Sequence, residues 1–302
     1  MVVLSMSSTI KKIINHFLQG TFIWRIKNHV RIEQERNWIN FQNSKAPFLI
    51  AVYRGFKIRL YRGDLLTRSI YLKEYDQLEI KFLQQFLHAG DVFIDAGANI
   101  GLYSLVAASI VKKSGKVYSF EPSAKNYKKL QENISLNHFS NILPFCLGLS
   151  DKNEQKRLFE IDQGLGALSS YVSSSDQSVI VETEVVTLDD FVKTNGVPKI
   201  NVIKVDVEGW EFPVISGAKE LLENKDAPML MVEFTDSNAR LAGYSCQLVY
   251  DRLVDLGYIL YRINKELKLI PESKLDYYEY SNVIGIKDGS QAHARIKSLL
   301  SI

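Results

Sequence analysis

The chain has 302 residues, of which 46% are hydrophobic and 24% charged, and its formal net charge is +3. This composition is ordinary for a soluble globular protein, and a chain of this length can bury a large core without disulfides or a structural metal. The two cysteines, Cys146 and Cys246, lie apart in apolar surroundings and are predicted to be buried reduced thiols. The five histidines are scattered, which excludes zinc-type ligand spacing.

The charge is distributed unevenly along the chain. Residues 1–75 contain 13 Lys and Arg against 4 Asp and Glu, whereas the remainder contains 24 against 30. A basic N-terminal segment can contact a membrane surface, a nucleic acid or an acidic glycan, but a solvated surface with uneven charge is the favoured interpretation. We recognise no secretory signal, and the most hydrophobic long window, 92–111, contains Asp95, Asn99 and two glycines. We therefore expect a cytoplasmic protein without a transmembrane segment.

Residues 1–75 are predicted to form an N-terminal extension made of a helix and a hairpin. Apolar residues repeat at helical spacing within 9–40, and this helix is expected to pack on the domain or pair with a second chain in a homodimer. Peripheral contact with a membrane is the less favoured alternative. Residues 48–62 alternate like strands around Arg54-Gly55, which predicts a hairpin. A helix is predicted from Gln77 to Leu87.

Residues 76–302 are predicted to form one α/β domain, because from Asp91 onward short apolar runs alternate with helical patterns. This alternation predicts a doubly wound, mostly parallel sheet with right-handed crossovers. The predicted strands are Val92–Asp95, Val117–Glu121, Ile142–Leu149, Val181–Val186, Val202–Asp206 and Leu230–Phe234, with antiparallel edge strands at Tyr258–Ile263 and Asn282–Ile286. The predicted helices are Leu102–Lys112, Ala124–Asn137, Leu188–Lys193 and Val214–Asn224, and residues 163–178 are expected to be a loop.

A glycine-containing turn follows the first of these strands, in the sequence V-F-I-D-A-G-A-N-I-G at 92–101. Such a turn can offer bare backbone N–H groups to a ligand. The dinucleotide fingerprint G-x-G-x-x-G is absent, which argues against a dehydrogenase. Asp95 would repel a pyrophosphate but would suit an ammonium group.

The next strand ends at Glu121, twenty residues after Gly101. A carboxylate at this position can accept hydrogen bonds from both hydroxyls of a ribose, the alternative being an acid that only stabilises a helix N-terminus. Together with Asp95, it suits a nucleoside with a cationic amino-acid tail. S-adenosylmethionine is such a molecule.

A second group of polar residues lies on and directly after the predicted strand at 202–206. Lys204 and Asp206 lie side by side on an inner strand, where both faces are normally apolar. Such residues are costly to bury unless paired, so we expect them to face a site, the alternative being a structural ion pair. Glu208 and Glu211 follow at once, and Glu233 ends the next strand. Close carboxylates raise one another's pKa, which is one way to tune a general base.

These residues are candidates for catalysis. Asp206, Glu208 and Glu211 are candidate general bases for an acceptor hydroxyl, with Lys204 orienting them or balancing their charge. The same carboxylates could instead hold Mg²⁺, which is the less favoured interpretation, and no metal site is assigned. Trp210 is expected to cap a core more readily than to stack on a substrate.

Five motifs occur in a fixed order over about residues 75–240: V-F-I-D-A-G-A-N-I-G, V-Y-S-F-E-P, T-L-D-D-F, I-K-V-D-V-E-G-W-E and S-G-A. In this order they resemble the FkbM family of S-adenosylmethionine-dependent methyltransferases. The resemblance implies a class I, Rossmann-like methyltransferase fold with a seven-stranded sheet, and methylation of an oxygen, often a hydroxyl of a sugar or polyketide. It also implies that Asp95, Gly97, Asn99 and Gly101 cradle the methionine part of the cofactor and that Glu121 binds its ribose.

Two alternatives stay open at this point. One is a cofactor-binding module without catalysis, and the other is a methyltransferase that acts on a nitrogen or a macromolecule. No nucleic-acid partner is expected, because the N-terminal segment lacks interleaved aromatic and basic residues. The sequence does not identify the acceptor, since its pocket is expected to be built by residues 1–75 and 163–178.

Overall fold

The computed structural model describes residues 22–63, 65–161, 169–170 and 178–297. The first elements are α1 (Phe22–Asn43), β1 (Phe48–Tyr53), β2 (Phe56–Tyr61), α2 (Leu65–Tyr71) and α3 (Gln77–Phe86). The hairpin prediction is confirmed, because β1 pairs antiparallel with β2 around Arg54 and Gly55, both at positive φ. The predicted helix is confirmed from residue 22 onward, and residues 9–21 lie outside the described part of the chain.

The remaining elements alternate between strands and helices as predicted, except over residues 142–186. There five strands follow one another without a described helix, and Ser169–Ser170 forms a short strand within the segment that was expected to be a loop. The strands are β3 (Val92–Ala96), β4 (Lys116–Phe120), β5 (Ile142–Phe145), β6 (Gly148–Leu149), β7 (Glu154–Ile161), β8 (Ser169–Ser170), β9 (Ser178–Val186), β10 (Val202–Val205), β11 (Met229–Phe234), β12 (Tyr258–Ile263), β13 (Leu269–Pro271) and β14 (Ser281–Lys287). The helices are α4 (Leu102–Val111), α5 (Ala124–Asn137), α6 (Leu188–Thr194), α7 (Glu211–Ser216), α8 (Lys219–Glu223), α9 (Asp236–Leu241), α10 (Cys246–Asp255) and α11 (Gln291–Ile296).

The main sheet has eight strands in the order β13-β12-β14-β11-β10-β3-β4-β5. The run β11-β10-β3-β4-β5 is parallel, whereas β14 is antiparallel to both β11 and β12. The predicted antiparallel strands near the C-terminus are thus confirmed, and the short edge strand β13 makes eight strands instead of seven. Parallel strands end at the same edge of a sheet, so the residues after β3, β4, β10 and β11 converge there.

Two predicted elements are divided in the structure. The predicted strand Ile142–Leu149 is wrong as one strand, because β6 leaves the main sheet and pairs with β9 in a separate four-stranded sheet. The predicted helix Val214–Asn224 breaks at Gly217, where a Cβ would lie 1.9 Å from the backbone oxygen of Ser150. The close approach of the chain at Ser150 therefore requires glycine and ends α7.

The prediction of two buried cysteines is half wrong. Cys246 is buried at the start of α10, but Cys146 is exposed, because it lies between β5 and β6 where the chain leaves the edge of the main sheet. Both thiols are free.

The N-terminal hairpin shares a hydrophobic core with the main sheet. Ile58 and Leu60 of β2 are buried in the same cluster as α4. The backbone N–H groups of Lys57 and Arg59 donate to the side-chain oxygens of Asn137 and Asn133 on α5, at 2.7 Å each. The hairpin is therefore fixed against α5, and the division into two domains at residue 75 stays a prediction.

Candidate active site

Close backbone packing fixes the turn after β3. Gly97 has a φ of +84°, and a Cβ there would lie 1.8 Å from the backbone oxygen of Asp206, so the chain after β10 touches the turn directly. Gly101 has a φ of +92°, and its Cβ would lie 2.5 Å from Leu130 Cδ1 on α5. These two glycines therefore let the turn pack against β10 and let α4 begin against α5.

The expectation that this turn offers bare N–H groups is wrong for four of them. Gly97 and Ala98 both donate to Phe120 O, at 3.0 and 2.9 Å, and Gly101 donates to Ala98 O at 2.8 Å. Asn99 donates its backbone N–H to Glu121 Oε2 at 2.8 Å. The turn is tied to the end of β4, and these donors are not left for a phosphate. This geometry agrees with the sequence argument against a pyrophosphate ligand.

Asp95 offers an unused acceptor at the start of the turn. Its Oδ2 accepts a hydrogen bond from Ser104 Oγ at 2.6 Å, and Ser104 in turn contacts Ser119 at 2.7 Å. Its Oδ1 is buried and has no hydrogen-bond partner among the described residues. Burial raises the pKa of this carboxyl, whereas the neighbouring Lys204 lowers it. A buried acceptor without a donor is unfavourable, so a ligand ammonium group fits this oxygen.

Glu121 joins the turn after β3 to the start of α5. Its Oε2 accepts from Asn99 and its Oε1 accepts from the backbone N–H of Ser123 at 3.0 Å, which orders both the turn and the start of α5. Burial raises the pKa of Glu121 to about 7, although both N–H groups favour the ionised form. Each carboxylate oxygen can accept a further hydrogen bond, so a ribose fits alongside these contacts. Asp95 and Glu121 thus fit the two polar ends of S-adenosylmethionine.

Lys204 and Asp206 form an ion pair that reaches from the interior to the edge of the sheet. Lys204 Nζ is 2.6 Å from Asp206 Oδ2, and the two side chains are 2% and 14% exposed. Burial alone would lower the pKa of Lys204, but the carboxylates of Asp206 and Asp95 raise it above its usual value. Burial would raise the pKa of Asp206, but Lys204 holds it below its usual value. Both groups are therefore charged at neutral pH.

Glu233 adds a third ionisable group beside this pair. It is hydrogen-bonded to Asp206 and accepts from Thr235 Oγ1 at 2.6 Å. Burial and the charge of Asp206 raise the pKa of Glu233 well above its usual value. The surroundings of Glu233 therefore favour its protonated form more than water does.

Glu208 and Glu211 have different surroundings. Glu208, at a φ of 53°, accepts from Asn238 Nδ2 at 2.8 Å, and burial together with Asp206 and Glu211 raises its pKa to about 8. Glu211 Oε1 accepts the backbone N–H groups of Val207 and Gly209, at 3.1 and 3.2 Å, and burial raises its pKa to about 7. Glu211 therefore holds the turn after β10, whereas the Glu208 carboxyl is held by Asn238 on α9.

The structure favours the core-capping interpretation of Trp210. Its ring is buried, its Nε1 donates to Ser150 Oγ at 3.2 Å, and its face contacts Lys156 Nζ at 4.3 Å. These contacts join α7 to the chain after β6.

Sequence reasoning missed three residues that border this site. Asp76 accepts hydrogen bonds from the phenols of Tyr103 and Tyr280, both at 2.7 Å, and Tyr103 lies under Lys204 with 4.3 Å between Nζ and the ring. Two features of the sequence could have indicated these residues. Tyr75-Asp76 stands directly before a predicted helix, and the run at 276–280 is aromatic and acidic.

Two further observations concern metal ligands and membrane-spanning helices among the described residues. They contain no group of three or more His, Cys, Asp or Glu side chains arranged to hold a metal ion. None of the helices described is both long and apolar enough to cross a membrane.

Comparison with known proteins identifies the family. The model of the methyltransferase FkbM domain matches residues 95–260. The hexuronic acid methyltransferase AglP of Haloferax volcanii is 30% identical over 198 residues, which are 64% of this chain and 78% of that protein. The 31-O-demethyl-FK506 methyltransferase FkbM of Streptomyces tacrolimicus is 25% identical over 188 residues, which are 53% and 68% of the two chains.

Among solved structures, the methyltransferase FkbM of Methylobacillus flagellatus KT superposes with a TM-score of 0.40 at 16% identity. The match covers 72% of this chain and 54% of that one.

The doubly wound sheet, in which the antiparallel β14 lies between β11 and β12, is that of a class I methyltransferase that uses S-adenosylmethionine. Within this class, the chain belongs to the FkbM methyltransferase family.

Proposed function

We propose that the protein transfers a methyl group from S-adenosylmethionine to a hydroxyl of a sugar, a glycan or a polyketide-like small molecule. The observation that carries this proposal is the pair of Asp206 and Glu208 beside the cofactor turn. Asp206 is ionised at neutral pH, whereas Glu208 has a pKa near 8. The backbone of Asp206 lies against Gly97, which brings the chain that carries both carboxyls next to this turn.

Five residues are proposed to bind the cofactor. Asp95, Gly97, Asn99 and Gly101 would hold its methionine part, and Glu121 its ribose. Asp95 Oδ1 would accept a hydrogen bond from the ammonium group, because this oxygen has no partner among the described residues. The bound cofactor supplies a methyl group on a sulfonium, which is already activated for transfer.

The acceptor hydroxyl must lose its proton as it attacks, and a base works best when its pKa lies near the operating pH. Glu208 meets this condition better than Asp206, whose pKa is held below its usual value. We assign the removal of the hydroxyl proton to Glu208, which accepts it, and the positioning of the hydroxyl to Asp206. Lys204 and Glu233 fix Asp206 from two sides, and Glu211 holds the turn. Holding the reactants in line is expected to supply much of the rate enhancement.

The names of two relatives support an oxygen acceptor. One is named for a hexuronic acid and the other for the 31-O position of FK506. The cytoplasmic location, the homodimer, the peripheral membrane contact and the domain boundary at residue 75 stay predictions.

Transfer of an isotope-labelled methyl group from S-adenosylmethionine to glycosides, polyols and macrolide alcohols tests the proposal. The expected product is a methyl ether, identified by mass spectrometry and NMR. Methylation of nitrogen only, or no transfer to any alcohol by protein that binds S-adenosylhomocysteine, would contradict it.

A further inference from the structure

Asp76 has an unusual backbone conformation at the start of α3. Its φ and ψ are 41° and 43°, in the left-handed region that non-glycine residues rarely adopt. Asp is a preferred N-cap residue, yet the side chain of Asp76 makes no capping hydrogen bond to α3. Left-handed backbone at a non-glycine residue costs free energy, and it persists where the surroundings enforce it. Stabilisation of α3 therefore does not explain this residue.

The carboxylate of Asp76 points instead toward the candidate active site. Its Oδ2 accepts from Tyr103 and its Oδ1 from Tyr280, and Tyr280 accepts in turn from Asn282 Nδ2 at 3.0 Å. The Tyr103 ring lies against Lys204 Nζ, so a single side chain separates Asp76 from the catalytic ion pair. Asp76 and Tyr280 both lie outside residues 95–260, the part of the chain that the family model matches.

Several carboxyl groups lie close together at this end of the sheet, where Asp206, Asp76 and Glu233 each raise the pKa of Tyr75. Burial raises the pKa of Asp76, the two phenols and Lys204 lower it, and Asp206 raises it again. The ammonium of Lys204 is already paired with Asp206. Arg240, on the helix after β11, lies 3.4 Å from Asp236 and stacks on Tyr277. The side chains of Lys204 and Arg240 are thus each paired with a carboxylate of the protein.

We propose that Asp76 is a specificity-determining residue that disfavours acceptors with a carboxylate near the reacting hydroxyl, so that the acceptor is a neutral or amino-bearing polyol. This inference rests on the proposed O-methyl transfer. A second carboxylate brought to this site would be repelled by Asp76 and Asp206, whereas a hydroxyl or ammonium group can donate to them. The chain would then differ in acceptor from its hexuronic acid methyltransferase relative.

The test compares a glucoside, a glucosaminide and a glucuronide that share one aglycone. We expect kcat/KM for the first two to exceed that for the glucuronide by about tenfold or more. Repulsion between two like charges about 10 Å apart, at an effective dielectric constant near 20, has this magnitude. Asp76→Asn should narrow this ratio by about tenfold, mainly through better use of the glucuronide. Asn tolerates left-handed backbone, and thermal melts confirm the fold of the variant.

Glu74→Gln is the matched control. It also removes one carboxylate just before α3, but Glu74 is exposed and paired with Arg31 at 3.0 Å, so the acceptor ratio should not change. Calorimetry of the three glycosides with the protein loaded with S-adenosylhomocysteine gives the same ranking without turnover.

Three outcomes would overturn the inference. The first is a kcat/KM or an affinity for the glucuronide that equals that for the glucoside. The second is a ratio of kcat/KM between the two glycosides that Asp76→Asn leaves unchanged. The third is an equal shift of this ratio in Glu74→Gln. Each leaves O-methyl transfer intact. Failure of the proposed function looks different, because no alcohol of any charge then yields a methyl ether.

Discussion

Replacing Lys204 by methionine removes the ammonium that compensates the buried carboxylates of Asp206 and Asp95. Lys204 is almost fully buried and Asp206 nearly so, and their charged atoms are 2.6 Å apart. Methionine fills a similar volume but leaves the carboxylates without a counter-charge. Removing one partner of a buried ion pair costs about 3–5 kcal/mol in the free energy of unfolding, and we expect Lys204→Met to fall in this range at pH 7.

The pKa shifts of Lys204 and Asp206 determine how the loss of stability in the variant changes with pH. In the wild-type protein the pKa of Lys204 is raised, so its contribution is fully present below about pH 10.4 and is lost as the pH rises through the folded-state pKa. The pKa of Asp206 is lowered, so its contribution is present above about pH 3.9 and is lost as the pH falls. In the variant, burial without Lys204 raises the pKa of Asp206. The variant should therefore recover stability relative to wild type between pH 7 and pH 5.

Urea unfolding at pH 5 and pH 7 measures both effects. Lys199→Met is the matched control, because Lys199 pairs with Asp226 on the surface, where the two side chains are 51% and 46% exposed. Exposed pairs contribute about 0–1 kcal/mol, so the control should unfold almost like wild type. Equal losses in the two variants, or a loss in Lys204→Met that grows toward pH 5, would refute the burial argument.

Three further predictions concern the base, the cofactor and the opposite end of the sheet. First, kcat/KM for methyl transfer should rise with pH to a plateau above about 8, because the raised pKa leaves Glu208 protonated below it; a flat profile from pH 6 to 9 would assign the base to Asp206. Second, Glu121→Gln should weaken S-adenosylhomocysteine binding by roughly tenfold or more in calorimetry, since charge-assisted hydrogen bonds contribute about 1.5–3 kcal/mol; unchanged affinity would reject the ribose assignment. Third, Arg295→Met should lower the free energy of unfolding by about 3 kcal/mol but leave kcat unchanged, because Arg295 pairs with buried Asp91 before β3, away from the site; a loss of kcat in folded protein would contradict this.

The sequence was sufficient for the elements that follow one simple pattern. The hairpin at 48–61, most of the alternating strands and helices, and the carboxylates at the ends of β3, β4 and β10 lie where the periodicity and the motifs predict. Lys204 and Asp206 were expected to face a site because burying two charges side by side is costly, with a structural ion pair as the alternative. The structure shows the ion pair, and the role of both residues in a site stays a prediction.

Other features depend on contacts that sequence spacing does not reveal. Asp76 and Tyr280 are 204 residues apart, so only the folded chain brings them together. The second sheet was missed because β7 is largely polar and lacks a continuous apolar run. The N–H groups of the turn after β3 looked available, but three of them pair with Phe120 and Glu121, which lie more than twenty residues away.

Methyl transfer by Glu208→Gln, measured together with the affinity for S-adenosylhomocysteine, tests the central claim most directly. Gln keeps the size and one acceptor oxygen of Glu208 but cannot take a proton. General-base catalysis contributes roughly 10²–10⁴-fold, so kcat toward an alcohol should fall by that factor while the affinity for S-adenosylhomocysteine stays near that of wild type. A variant that retains its kcat, or one that loses kcat and affinity together, would contradict the account.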